Sequence, residues 1–350
     1  MNKSFKIGDL KPRLPIIQGG MGIGISLSSL ASAVANAGGI GVISGAQIGF
    51  REEDFEINPL EANKRALIKE IRRARKLSPN GIIGLNLMVA MENYDEFVRV
   101  AVKEKIDLII SGAGLPMNLP ALVKGSNVKI IPIVSSLKAA RLIIKSWTKK
   151  YFRLPDGIII EGPLAGGHLG FKKEELIDKT YQSLKDIVTE VTAYLKKEKL
   201  DVPVIAAGGL HTASDIKEIV NAGADGVQIA TRFVATYECD ASDEFKNAYV
   251  NCREKDIEIM MSPVGLPGRA INNEFLDKVN CEGRIKVDKC YRCINKCNPK
   301  ETPFCITRAL VNSCNGNTNN GLVFVGAKAY MVDRIVSVKE LMEELEKGFE

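Results

Sequence analysis

Eight short runs of β-branched and other apolar residues, spread over the first two thirds of the chain, limit its fold more than any other feature. They are PIIQG (15–19), IGVIS (40–44), IIGLNL (82–87), DLIIS (107–111), KIIPIV (129–134), GIIIE (157–161), VPVIAAG (202–208) and GVQIA (226–230). Continuous apolar runs without polar alternation suit strands covered on both faces, the habit of parallel sheets. The amphipathic segments between them are long enough for crossover helices. Eight such units by about residue 235 predict an α/β fold of the (β/α)8, or TIM, barrel class, since a doubly wound sheet normally needs fewer strands.

Composition narrows the function classes. A chain of 350 residues, 45% apolar and 26% charged, can bury a large core and is not disordered. The formal charge of +6 is spread through segments such as NKRALIKEIRRARKLS (63–78), which gives no basis for nucleic acid as a partner. MNKSFKIGDLKPRLP (1–15) has no apolar signal core, and no run reaches the ~18 apolar residues of a membrane span. A cytoplasmic protein without membrane contact is expected. All eight cysteines lie at or beyond Cys239, which is not the distribution of a disulfide scaffold.

In a barrel of this class the residues after each strand form the active face. Here they are QGGMGIG (18–24), Asn86, SGAGLP (111–116), Glu161 with the loop EGPLAGGHLGF (161–171), AAGGLH (206–211) and QIATRF (228–233). Backbone amides approach an anion closely only where no Cβ intervenes, so the glycines after strands seven and eight predict a phosphate site. QGGMGIG is not a dinucleotide fingerprint. Gly20, Gly22 and Gly24 alternate, and Ile25 stands where G-x-G-x-x-G requires its third glycine.

PIIQGGMGIGIS, GLNLM (84–88), SGAGLP, EGPLAGGHLG, VIAAGGL and GADGVQIATRFVAT, in that order, resemble the nitronate monooxygenase family, formerly called 2-nitropropane dioxygenases, which includes the flavin-dependent enoyl-acyl-carrier-protein reductases of the reductase II branch. The resemblance covers residues 10–240 and resumes in SPVGLPGRAI (262–271) and in residues 321–345. It implies FMN across the barrel mouth, with Gly20, Met21 and Gly22 near the flavin ring and Asn86 near its polar edge. Ser111, Glu161, Gly166 and Gly167 are implied as further cofactor contacts, and Gly208, Gly209, Gln228, Ile229, Ala230 and Thr231 as holding the phosphate. His168 matches the family's active-site histidine. A histidine near its ordinary pKa of about 6.5 gives or takes a proton at neutral pH, which suits an acid–base role. His211 is expected to cap the following helix or face solvent. Lys11, Arg232 and Arg269 are candidates for attracting an anionic substrate.

The implied activity is oxidation of alkyl nitronates by O2. The alternative is reduction of an enoyl thioester with NAD(P)H as reductant; a metal-stabilised binding module is a third reading. The inosine-monophosphate dehydrogenase type shares AAGGL and GADGVQIATRF, but it needs a nucleophilic cysteine where this chain has His168. The partner is a small molecule, with a homodimer left open. Cys290, Cys293, Cys297 and Cys305 are dense enough for tetrahedral coordination of Zn or an Fe–S cluster, against reduced thiols as the plain alternative. Three segments are expected: a barrel over 1–237, a mainly helical, Cys-rich lid or substrate domain over 238–320, and a C-terminal piece over 321–350 returning to the barrel.

Overall fold

The computed structural model describes residues 5–350. All eight apolar runs are strands of one closed parallel barrel: β1 (Ile16–Gln18), β2 (Ile40–Ser44), β3 (Ile82–Met88), β4 (Leu108–Gly112), β5 (Lys129–Val134), β6 (Ile158–Glu161), β8 (Val204–Ala207) and β9 (Gly226–Ile229). The strand β7 (Gly167–His168) lies outside it. β9 closes on β1 through the pairs Ile16↔Val227, Ile17↔Gln228 and Gln18↔Ile229. The fold is a TIM barrel, as its runs predict.

Side chains of successive strand residues point to opposite faces. Ile17, Ile40, Val42, Leu108, Ile110, Ile131, Ile159 and Ile205 fill the barrel interior, capped from below by Ile7. Their neighbours Ile16, Ile43, Ile83, Leu85, Ile109, Ile130, Ile158, Ile160 and Val204 face outward against the helices. Both faces are dry, which is why the runs do not alternate in polarity.

Several helices start on a side chain that accepts a backbone N–H: Ser136, Ser183, Thr212, Ser242, Asn273 and Ser337. The caps at Ser136, Ser183 and Thr212 fix where the helices after β5, β6 and β8 begin and so how long the preceding loops at the barrel mouth can be.

After the barrel come the helices Asp243–Val250, Glu274–Glu282 and Ile306–Cys314, and also a hairpin of β10 (Ile257–Met261) and β11 (Pro267–Ile271). β11 pairs on its other side with β7, through Gly268↔His168 and Arg269↔Gly167. The region is helical, as expected, but the sheet it shares with the histidine segment is an addition to that picture. Helix Val338–Glu346 then buries Val338, Leu341, Met342 and Leu345 in the same core as the outer faces of the strands.

Candidate active site

At the C-terminal ends of the strands lies a cleft with about 1360 Å³ of atom-free space, counting the part that opens to solvent. Its lining draws on strand ends around the barrel mouth, from Gly19 after β1 to Thr231 after β9. Strand parity selects its polar lining. Asn86, Glu161 and Gln228 sit at inward positions near the mouth, in phase with Gly84, Ile159 and the interior layer, and all three line the cleft.

Gly20, Met21, Gly22, Gly166, Gly167, His168, Gly208, Gly209, Ile229, Ala230 and Thr231 also line it, so the structure brings the sequence-predicted set together with one exception. Ser111 is that exception. It follows inward Ile110 by one residue, so the pleat turns it outward, where its fully buried hydroxyl lies 2.7 Å from the hydroxyl of Tyr94 on helix Tyr94–Lys103. Its neighbours Gly112 and Ala113 line the cleft instead.

On one side the chain forms an anion cradle. Gly208 and Gly209 have φ of +94° and +83°, which turns successive N–H groups toward one side. Neither N–H has a backbone acceptor among the described residues. A Cβ on Gly208 would lie 2.9 Å from the Gly162 carbonyl oxygen, and one on Gly209 would lie 2.7 Å from Leu164 Cβ. Nearby, Gln228 Oε1 is enclosed and has no hydrogen-bond partner, an acceptor left for a bound donor. A Cβ on Gly20 would come within 2.3 Å of Asn86 Cβ, so the two residues lie flush against each other.

His168 is not in a free loop. Its backbone is held in β7 by β11, and the next residue continues the pairing through Leu169 N–H to the Pro267 carbonyl (2.8 Å). Its ring meets Phe324 edge-on at 5.1 Å between centroids, and Nε2 lies 2.7 Å from Ser262 Oγ. The expectation of an ordinary pKa is corrected: burial pulls His168 down to about 4, so it is neutral at pH 7. Burial pushes the carboxyl of Glu161, in the same cleft, up to about 7.

The candidate cations do other work. Arg269 is buried at 6% exposure and donates to the carbonyls of Ala165 and Pro163 (2.9 Å to the latter), pinning the segment that leads to His168. Arg232 is forked onto Glu344 (2.9 and 2.7 Å) and donates to the His211 carbonyl, tying the barrel to the last helix. Lys11 is exposed and precedes β1, on the face opposite the cleft. His211 is buried, and Thr212 with Asp215 forms the cap of helix Ala213–Asn221. Burial and the nearby Arg232 guanidinium lower its pKa to about 4.

Among the described residues no three His, Cys, Asp or Glu side chains converge as a ligand group. Cys290 is exposed, Cys293 and Cys297 pack on the apolar cluster around Phe304, and Cys305 packs near Phe55 and Tyr291. Burial raises the thiols of Cys293, Cys297 and Cys305, Cys293 to about 12.

Sequence reasoning missed the cleft residues supplied from far along the chain: Tyr249, Leu310, Phe324, Val325 and Gly326. A Cβ on Gly166 would meet the Val325 carbonyl carbon at 2.6 Å, so this returning segment crosses directly over the AGGH turn. The only signal for it is that the family motifs resume at 262–271 and 321–345.

Comparison with known proteins agrees with this geometry. Residues 3–348 match the family described as nitronate monooxygenase. A probable nitronate monooxygenase of Staphylococcus aureus (strain Newman) is 25% identical over 304 residues, covering 80% of this chain and 81% of that one. The (3aS,4S,5R,7aS)-5-hydroxy-7a-methyl-1-oxo-octahydro-1H-indene-4-carboxyl-CoA dehydrogenase of Rhodococcus jostii is 23% identical over 272 residues, 78% of this chain. The chain spans 66% of that relative's length. Among solved structures, FabK from Thermotoga maritima is similar with a TM-score of 0.74 and 26% identity, covering 97% of this chain and 93% of that one. Nitroalkane oxidase from Streptomyces ansochromogenes shares the fold, with a TM-score of 0.73, 21% identity and 97% of each chain covered.

Proposed function

The chain belongs to the nitronate monooxygenase family and is an oxidoreductase, and from that premise we propose that it binds FMN and oxidises alkyl nitronates with O2, with His168 meeting the substrate. The observation that carries this reading is one cleft holding both a glycine anion cradle and a rigidly presented neutral imidazole. The unpartnered amides of Gly208 and Gly209 suit a terminal phosphate, and the orphaned Gln228 Oε1 suits a donor on the ribityl chain or ring. Gly20, flush against Asn86, suits a planar ring. A second pyrophosphate cradle is not apparent among the described lining residues, which favours FMN over FAD.

Bound flavin supplies the electron transfer between substrate and O2. The protein's own residues orient and select. No lysine or arginine lines the cleft, so a substrate anion meets dipoles rather than a full positive charge. His168 is neutral at pH 7 and adds no charge of its own. Taking the α-proton of a neutral nitroalkane would create a buried imidazolium, which desolvation disfavours; a preformed nitronate asks for no such step. Glu161, near the midpoint of its titration at neutral pH, is largely protonated below it and then does not repel an anion.

A second reading, FMN-dependent reduction of enoyl-acyl-carrier-protein thioesters with NAD(P)H, is favoured by the likeness to FabK over nearly the whole chain. The two separate in one experiment on the purified flavoprotein: oxygen uptake with propionate-3-nitronate against NADH oxidation with crotonyl thioesters. Oxygen uptake dependent on nitronate is expected; crotonyl reduction without it would replace the first reading by the second.

A further inference from the structure

The contact between His168 Nε2 and Ser262 Oγ (2.7 Å) joins two residues that are 94 positions apart. Ser262 closes the tight turn between β10 and β11. Its N–H donates to the Leu266 carbonyl at 3.0 Å, and its carbonyl accepts from Gly265 N–H at 2.8 Å, with Gly265 at φ +82°. The residue is 4% exposed. Its Oγ also accepts a hydrogen bond from Val264 N–H at 3.3 Å.

The direction of the bond to histidine follows. A hydroxyl has one hydrogen and two lone pairs. Val264 N–H occupies a lone pair, and among the described residues Nε2 is the one acceptor in reach of the hydroxyl hydrogen. The arrangement that gives the hydroxyl hydrogen a protein acceptor has Ser262 donating and Nε2 accepting. In a neutral imidazole the proton must then sit on Nδ1. Nδ1 has no protein partner among the described residues, and it is absent from the enclosed polar atoms that lack one. The ring lines the cleft.

We infer that Ser262 is a positioning residue that holds His168 in the neutral Nδ1–H tautomer, presenting the cleft with a hydrogen-bond donor in place of a base. A donor matches an oxygen that already carries negative charge, so Ser262 sets a preference for preformed nitronates over neutral nitroalkanes. The substrate half rests on the nitronate reading above; the tautomer half does not.

Histidine-selective 15N labelling with long-range 1H–15N correlation spectra distinguishes protonated from bare ring nitrogens. The chain has two histidines, and a His211→Gln variant assigns the signals. At pH 7.5 the wild-type flavoprotein is expected to show His168 with Nδ1 protonated and Nε2 bare. Ser262→Ala should shift it toward the Nε2–H form and Ser262→Thr should restore the wild-type pattern, with FMN retained in all three. Wild-type His168 with Nε2 protonated overturns the inference without reference to any variant, and so does an unchanged tautomer in Ser262→Ala. In oxygen uptake, Ser262→Ala should lower the ratio of kcat/KM for nitronate over nitroalkane by ~10-fold, at the low edge of what acid–base assistance contributes. An unchanged ratio with a changed tautomer overturns the selectivity half. The expected tautomers with no uptake on either substrate uphold Ser262 and count against the nitronate reading.

Discussion

His168 and Glu161 face one cleft and have opposite pKa shifts, which makes their contributions to stability separable by pH. For His168 the folded value is about 4 against 6.5 unfolded. Its burial costs nothing above pH 6.5, costs progressively more as pH falls, and reaches its full penalty below pH 4. Glu161 is at about 7 folded against 4.5 unfolded. Its contribution is fully present below pH 4.5 and is lost as pH rises through 7. Each displacement is worth about 3 kcal/mol, an upper figure because the cleft is open to solvent. Urea unfolding of the flavin-stripped protein, followed through its single, fully buried Trp147, measures this at pH 7.5, 6 and 4.5. Relative to wild type, His168→Gln should gain up to about 3 kcal/mol between pH 7.5 and 4.5, and Glu161→Gln should lose a similar amount over the same interval. Wild type should change little from this pair alone, since the two terms oppose. Parallel stability–pH curves for wild type and both variants would refute the claim that the cleft desolvates these groups.

Gly209→Val should abolish FMN retention with the barrel still folded, because φ of +83° and a Cβ 2.7 Å from Leu164 Cβ leave no room without moving the cradle; flavin fluorescence on titration measures the loss. Arg269→Met should destabilise the protein by about 2–4 kcal/mol, since it leaves the Pro163 and Ala165 carbonyls unsatisfied, and should lower activity more than FMN affinity; urea midpoints and flavin titration separate the two. Changing Cys290 and Cys293 together to Ser should leave the urea midpoint within about 1 kcal/mol of wild type, and the purified protein should carry no stoichiometric zinc or iron by elemental analysis.

The barrel was legible because burial on both faces of each strand suppresses the polar alternation of a half-exposed sheet, and eight such runs leave little choice of architecture. Asn86, Glu161 and Gln228 were legible as strand-end polar residues. Ser111 shows where that shortcut fails: it ends a run just as they do, but counting by twos from inward Leu108 and Ile110 sends it outward to Tyr94. The histidine's position was legible and its environment was not. β7 is two residues long within a glycine-rich stretch, and its partner β11 lies about a hundred residues downstream, so no local pattern announces the pairing. Arg269 was read as a candidate for attracting an anionic substrate because sequence cannot show that two carbonyls of a distant turn stand ready to receive a guanidinium. The cysteines were read by spacing alone, whereas their positions follow from the apolar clusters they pack on.

The way Val325 and Gly326 cross over Gly166 has a consequence for how the protein is made. As the polypeptide leaves the ribosome, every barrel strand is out long before the segment that roofs the AGGH turn, and helix Val338–Glu346, which covers part of the barrel's apolar exterior, follows later still. A nascent chain stalled just after β9 therefore has an incomplete cofactor mouth and an uncovered greasy stripe beside helix Ser28–Asn36. Contacts so distant along the chain form slowly, so the cleft is completed only once residues 325–326 have emerged and docked.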